Sequence, residues 1–352
     1  MHGVPSHDRC AKRHPAEAGR WKNAKTNHPD LRLRRKRTRM SNRIVITTDY
    51  LGEGDEVDRL LRSRGCEPVY APSTQRRSPD EQAHLLDGAL GAIVSSEPIT
   101  REMLAAAPTL KVVARSGVGY DAVDVAAAAE LGITVCNTPG TNHHAVAELT
   151  LGLMLNCARR LTNVTRAVEE GAWPRDAGTE LRGKTLGVVG FGASGRAIAT
   201  LGIALGMRVL ASTGHPDPSA APDVDFADFD RVVSEADYLT LHARATGHPV
   251  IGVDQLAAMK ATAYLINTAR GSLVDEPALA DALRNQRIAG AALDVLDHEP
   301  MRDDDPLRGV ENLWITSHLA GQTVEARQRS GLAAAEAVLA VLDGTTPHGR
   351  IV

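Results

Sequence analysis

Arg270, Glu299 and His318 are the side chains whose types and surroundings could do chemistry together. They lie in three stretches, NTARGSLVD (Asn267–Asp275), ALDVLDHEP (Ala292–Pro300) and ITSHLAG (Ile315–Gly321). Each stretch stands at or just past the end of a β-rich run, and an open parallel sheet binds ligands in the crevice beyond its carboxyl strand ends. A guanidinium there can clamp a carboxylate, an imidazole can move a proton, and a carboxylate can orient the imidazole. Taken singly, such an arginine is more often a surface or capping residue and such a histidine a satisfied structural one. Three strand ends that can converge change that balance toward a site.

A second constellation is built of glycine. Leu186–Gly195 reads LGVVGFGASG, with Gly190, Gly192 and Gly195 at G-x-G-x-x-G spacing, and RAIATLGIAL (Arg196–Leu205) follows with apolar residues at helical intervals. Strand, glycine turn and helix in that order form the context in which the motif cradles a pyrophosphate on a helix N-terminus. The next strand runs RVLASTGHPD, and the position where a ribose-binding acid is expected falls near Thr213, with Ser212, Gly214 and His215 beside it. Without that carboxylate, nothing there repels a 2′-phosphate, so NADP is as plausible as NAD, with a slight lean to NADP. Asp217 could fold back and serve the ribose instead.

The elements that must position these groups form an alternating series. Arg43–Thr48, Val69–Ala71, Ala89–Ser95, Leu110–Ala114 and Thr134–Asn137 read as strands, with helical stretches at Asp55–Arg64 and Arg101–Ala107. A second series follows Leu186, with strands at Arg208–Ala211, Tyr238–His242, Ala263–Asn267, Gly290–Asp294 and Leu313–Thr316. Strands alternating with helices mean an α/β fold with parallel sheets. The spacing predicts one long helix over His144–Glu169, bridging domains or forming a subunit interface, and an Ala-rich helix over Glu325–Leu342.

At 352 residues, 43% hydrophobic and 24% charged, the chain has the length for two domains and the composition of a globular protein. No apolar run is long enough to cross a bilayer. Cys10, Cys66, Cys136 and Cys157 have no close spacing, which argues against a disulfide framework or structural zinc and for a reducing, cytoplasmic setting. His143, His144 and Glu148 lack further ligands at metal-binding spacing, so no metal is expected. Residues 1–40 carry a net charge of +9 against −12 for the remainder, culminating in LRLRRKRTR (Leu31–Arg39). This arm has no amphipathic period and reads as a disordered extension upstream of a natural start at Met40. A nucleic-acid role for it is not favoured.

These stretches, with RSGVGYDAVD (Arg115–Asp124) and TPGTNHHAVAELTLGLML (Thr138–Leu155), resemble the D-isomer-specific 2-hydroxyacid dehydrogenases over roughly residues 43–352. That family includes glyoxylate and hydroxypyruvate reductases and phosphoglycerate dehydrogenases. The resemblance implies two Rossmann-like or flavodoxin-like domains around a cleft. The substrate domain would comprise 41–140 plus 322–352, and the NAD(P)-binding domain 141–321. It implies that Arg270 holds the substrate's carboxylate and carbonyl oxygen, that His318 exchanges a proton with that oxygen, and that Glu299 holds the imidazole. Backbone N–H groups of Gly117, Val118 and Gly119 would also meet the substrate carboxylate. Cofactor contacts would come from Gly190, Gly192, Ala193, Ser194, Gly195, Thr213, Thr268, Ala269, Asp294, His318 and Gly321. The implied activity is hydride transfer between NAD(P)H and a small 2-oxo acid, in a homodimer. The other reading is an NAD(P)-binding regulator of corepressor type on the same fold. Two departures from the family pattern stand out: LHARATGH (Leu241–His248) lacks a proline usual there, and Ser317 precedes His318 where proline is usual.

Overall fold

The computed structural model describes residues 42–72, 77, 78, 81, 84–245 and 247–352. The basic arm, its expected disorder and Cys10 lie outside them. Five strands build a first parallel sheet: β1 (Asn42–Ile46), β2 (Cys66–Tyr70), β3 (Gly91–Val94), β4 (Val112–Arg115) and β5 (Thr134–Cys136), in the order β2-β1-β3-β4-β5. Seven build a second: β6 (Thr185–Val189), β7 (Arg208–Ser212), β8 (Val224–Phe226), β9 (Tyr238–Leu241), β10 (Tyr264–Asn267), β11 (Gly290–Leu293) and β12 (Leu313–Ile315), in the order β12-β11-β10-β9-β6-β7-β8. Every named strand pair is parallel. The first order is that of flavodoxin-like sheets and the second that of doubly wound dinucleotide-binding sheets. Each reverses direction at one point, β1/β3 in the first and β6/β9 in the second, and so opens a crevice there.

The helices of the first half are α1 (Glu56–Ser63), α2 (Arg101–Ala105) and α3 (Val125–Glu130), capped by Asp55, Thr100 and Asp124 through side-chain oxygens. Each cap satisfies an N–H that the first helical turn leaves without a partner. The helices α4 (His143–Arg159), α5 (Leu161–Glu169), α6 (Ala193–Ala204), α7 (Phe229–Glu235), α8 (Val253–Ala258), α9 (Glu276–Arg284) and α10 (Val324–Leu342) follow.

The single helix expected over His144–Glu169 is two. Arg160 is left-handed (φ 50°), and Asn156 Oδ1 accepts both Thr162 N–H and Thr162 Oγ1–H at 2.9 Å. An asparagine side chain that offers the backbone a local acceptor competes with the helical ladder, so the helix restarts. Strand β8 is an edge strand of three residues, VDF, too short to show a period of two.

Helix α4 shares a core with β6 and α6 through Leu153, Met154, Leu186, Val188 and Ile198. Helix α10 returns to the first sheet, where Ala334, Ala335 and Val338 pack on Ile44, Ile93 and Val112. Its small residues allow this close approach: a Cβ at Gly331 would stand 2.9 Å from Leu51 Cδ2. The chain thus passes between the sheets after β5 and again after β12. Loops of the two sheets meet where Arg270, after β10, reaches Asp121 and Gly119, after β4.

Candidate active site

The glycine turn sits where β6 and β9 part. Gly190 has φ 91°, and a Cβ there would lie 2.6 Å from the backbone of His242 and Ala243. Gly195 packs directly on the Gly190 carbonyl. Around Gly192, by contrast, the space is open, and it caps α6 without a side-chain bond. The first-turn N–H groups of Ala193, Ser194 and Gly195 have no carbonyl of their own helix to meet and face that opening. Two tight glycines and one open one make a cradle for an anion at a helix N-terminus, which fits a dinucleotide pyrophosphate. Gly190→Ala is expected to weaken dinucleotide binding at least about tenfold, since a left-handed non-glycine residue costs about 1–3 kcal/mol before the backbone clash is counted. Titration of nicotinamide fluorescence checks this.

Thr213 is half-buried at the end of β7, and its Oγ1 accepts the His215 N–H at 3.4 Å. Asp217 does not fold back toward it. Its Oδ1 accepts Ser219 Oγ–H at 2.6 Å and Ala220 N–H at 3.2 Å, bonds that also hold its carboxyl below the usual carboxylate range.

The turn after β10 places Thr268, Ala269 and Arg270. Asn267 fixes it, and sequence reasoning missed this residue. Its side chain is fully buried, accepts Ala269 N–H at 3.0 Å and donates to Arg270 O at 2.8 Å. Thr268 shares a 3.0 Å hydroxyl contact with Thr150 of α4. Arg270 reaches the first sheet's loops: Nε donates to Asp121 Oδ2 at 2.9 Å, Nη1 to Ala269 O at 2.7 Å, and Nη2 packs on Gly119, whose missing Cβ leaves room for it. Within the Gly117–Gly119 loop, the Gly117 N–H already donates to Thr138 Oγ1 at 2.8 Å and to Arg115 O. Among the described residues, the Val118 and Gly119 N–H groups have no protein acceptor. Of the three backbone donors expected for a carboxylate, two are therefore free and the third holds the loop.

His318 Nδ1 lies 2.8 Å from Glu299 Oε2, while Glu299 Oε1 accepts Leu296 N–H at 3.0 Å. Gly271 has Leu296 and Asp297 against its backbone, so the turn bearing Arg270 and the loop bearing Glu299 touch without any side chain between them. The other ring nitrogen, Nε2, has no protein partner among the described residues, and the side chain is half exposed. His318 is itself left-handed, at φ 57°. Asp294, expected as a cofactor contact, is buried beneath this loop. Its oxygens accept Thr316 Oγ1–H at 2.6 Å, Leu319 N–H at 2.8 Å and Ala320 N–H at 2.7 Å, and its carbonyl accepts His318 N–H at 2.9 Å. Four bonds to one residue hold the imidazole's loop where proline is absent. Gly321 lies against the Asn142 amide, at the crossing into α4.

His242, at the end of β9 under the glycine turn, was not singled out from the sequence. It is half-buried, its Nε2 is 3.0 Å from Thr240 Oγ1, and its Nδ1 is buried and has no partner among the described residues. Burial pushes its pKa down from 6.5 to about 4, so the folded chain keeps it neutral. The unfolded chain binds a proton there below about 6.5, so stability falls as pH drops from 6.5 toward 4. At about pH 5 this linkage amounts to about 2 kcal/mol, and His242→Gln is expected to flatten it in denaturant titrations at pH 7 and 5.

No group of three or more His, Cys, Asp or Glu residues could hold a metal ion among the described residues, and none of their helices is long and apolar enough to cross a membrane. Cys66, Cys136 and Cys157 are buried free thiols.

Comparison with known proteins agrees with this geometry. The family model for the NAD-binding domain of D-isomer-specific 2-hydroxyacid dehydrogenases matches residues 151–320. A glyoxylate reductase of Thermofilum pendens is 38% identical over 73% of this chain and 79% of its own length. A D-3-phosphoglycerate dehydrogenase of Methanocaldococcus jannaschii is 38% identical over 85% of this chain but only 57% of its own length. A crystal structure of a Thermus thermophilus protein superposes with a TM-score of 0.81 at 37% identity, covering 88% of this chain and all of that one. The relatives carry enzyme names, which does not favour the regulator reading. The glycine cradle, the Arg270 turn and the Glu299–His318 pair thus sit in a chain that belongs to the D-isomer-specific 2-hydroxyacid dehydrogenase family, NAD(P)-dependent oxidoreductases of 2-oxo and 2-hydroxy acids.

Proposed function

We propose that this chain reduces a small 2-oxo acid of the glyoxylate or hydroxypyruvate type to the D-2-hydroxy acid in the cleft between residues 41–140 with 322–352 and residues 141–321. The carrying observation is the His318–Glu299 pair, with one imidazole nitrogen free among the described residues, whose Glu299 loop touches the turn bearing Arg270. In this reading Arg270 and the Val118 and Gly119 N–H groups bind the substrate carboxylate, so the carbonyl oxygen lies within reach of both Arg270 and His318 Nε2. The bound nicotinamide supplies the hydride. His318 gives its proton to the carbonyl oxygen as negative charge develops there, and the Glu299 carboxylate supports the protonated imidazole before the transfer. Closure of the cleft excludes water from the reacting carbon. Ala193, Ser194, Thr268, Ala269 and Gly321 line the dinucleotide side, and Asp294 fixes the catalytic loop there.

The cofactor reading leans to NADP. With Asp217 engaged in its own turn, the Thr213 region offers hydroxyls and His215 but no carboxylate to a 2′-phosphate. A second observation supports a homodimer. Helix α5 buries none of its residues, and Leu155, Leu161, Val164, Val168 and Trp173 stand exposed together along α4, α5 and the loop beyond. An apolar face of this kind is a candidate for covering by another subunit. A cytoplasmic setting accords with three unpaired thiols.

Initial rates with glyoxylate and hydroxypyruvate, each with NADH and NADPH, test the reading. Turnover of at least one acid is expected, with higher kcat/KM for NADPH. Dinucleotide binding without any turnover would overturn the enzymatic assignment, and a strong NADH preference the cofactor assignment.

A further inference from the structure

Two of the groups that meet the substrate carboxylate in this reading, the Val118 and Gly119 N–H, belong to the backbone, so something must fix where they point. A trans peptide is planar, and its N–H points opposite to the carbonyl of the preceding residue. The Gly117 carbonyl therefore aims the Val118 N–H, and the Val118 carbonyl aims the Gly119 N–H. Glycine at 117 and 119 makes that aim soft, because peptides beside glycine rotate at little steric cost. Gly117 already stands at φ 146°. Both carbonyls are anchored by the residues that follow β5. Gly117 O accepts the Thr138 N–H at 3.0 Å, and Val118 O accepts Asn137 Nδ2–H at 2.7 Å. The first anchor is backbone; the second is a single side chain.

Asn137 is itself buried and firmly held. Its N–H donates to Gly349 O at 2.9 Å, and Ile351 N–H donates to Val135 O at 2.8 Å, so residues 349–352 run antiparallel along β5. Gly349 is left-handed at φ 74°, and a Cβ there would overlap the Asn137 carbonyl oxygen. Thr141 Oγ1–H steadies the next residue, donating to Thr138 O at 2.9 Å. Val118, by contrast, is 38% exposed, in a loop where water can bond a carbonyl but cannot fix its direction. We propose that Asn137 is a positioning residue for substrate binding. By holding the Val118 carbonyl it keeps the Gly119 N–H turned toward the substrate carboxylate, beside the Arg270 guanidinium that packs on Gly119. This rests on the reading of the preceding section, in which Arg270 and the two N–H groups hold that carboxylate. A flipped Val118–Gly119 peptide would present an oxygen where a donor is needed, and so repel the anion. The carboxylate keeps this contact from the first complex through hydride transfer. Asn137 thus supports binding of ground state and transition state alike, which sets KM rather than kcat.

The test is Asn137→Asp in the full chain, which keeps the size of the side chain and replaces its donor with an acceptor. The KM for the 2-oxo acid should rise about 10-fold or more, the scale of a lost bond to a charged group. The inhibition constant of oxamate, an unreactive carboxylate analogue, should rise in parallel. The kcat should stay within about threefold, and the Kd for NADPH, read from nicotinamide fluorescence, should not change. A merely structural asparagine would lower the melting temperature without separating KM from kcat. Asn137→Ser, whose hydroxyl is too short to reach Val118 O, should show the same separation. It carries the test if the aspartate variant does not fold. Unchanged KM and oxamate inhibition in the folded variants overturns the proposal alone. A rise in KM matched by equal losses in kcat and NADPH binding overturns it too. A wild-type chain that neither reduces a 2-oxo acid nor binds oxamate overturns the reading beneath it as well.

Discussion

Replacing His318 with asparagine is expected to lower kcat by about 10²–10⁴, the usual contribution of a positioned general acid–base. The effect should be this large because the bonds around the imidazole leave one of its nitrogens for the role. Nδ1 is committed to Glu299 and the loop to Asp294, which leaves Nε2 as the one nitrogen free to meet a carbonyl oxygen. Asparagine keeps a polar side chain of moderate size but has no titratable nitrogen. Glu299→Gln should cost less, because glutamine retains a bond to Nδ1 and loses only the charge that favours the protonated imidazole. Pre-steady-state and steady-state rates at saturating dinucleotide separate the two variants. Undiminished kcat in His318→Asn would refute the proton-transfer role.

Arg270→Met is expected to lower kcat/KM by about 10²–10³, since truncating one partner of a desolvated charge pair costs about 2–5 kcal/mol. Both the Michaelis complex and the transition state should suffer, because the guanidinium faces the carboxylate throughout and the carbonyl oxygen as it gains charge. Methionine keeps most of the length and packing of the side chain, so the loss reports charge and hydrogen bonding. The variant also releases Asp121, now bonded to Nε from a loop of the first sheet. Asp121→Asn is a useful companion: it keeps the side-chain volume and removes the ion pair, and its effect on KM separates orientation of Arg270 from substrate binding.

Much of this site is visible in the sequence because its residues occupy strand ends within stretches of unusual composition. GFGASG, NTARGS and ITSHLAG each join an apolar run to a turn, and the fold places the three at the carboxyl ends of alternate strands of one sheet, β6, β10 and β12. The alternation of strands and helices likewise carries both sheets, except β8, whose three residues have no room for a pattern. The supporting residues are harder to read. Asn267 looks like an ordinary strand-end polar residue, and Asp294 is expected only as a cofactor contact; that both hold loops shows only once those loops are seen. The same is true of His242, an imidazole closing an apolar strand, whose burial under the glycine turn depends on β9 lying beside β6. Gly117 is the converse case. Its glycine is visible, but its N–H turns out to be engaged by Thr138, a residue twenty-one positions away. Local polar competition explains the broken helix at Arg160, where Asn156 outweighs the continuous apolar pattern.

The central claim is that hydride reaches a 2-oxo carbon held between Arg270 and His318. The most direct measurement is a turnover with nicotinamide dinucleotide deuterated at the transferring carbon, with glyoxylate or hydroxypyruvate as acceptor and mass and NMR analysis of the product. The account predicts deuterium on C2 of the hydroxy acid, with formation sharply slowed in His318→Asn and Arg270→Met. A protein that binds the dinucleotide but places no deuterium on C2 of any acid tested would contradict it.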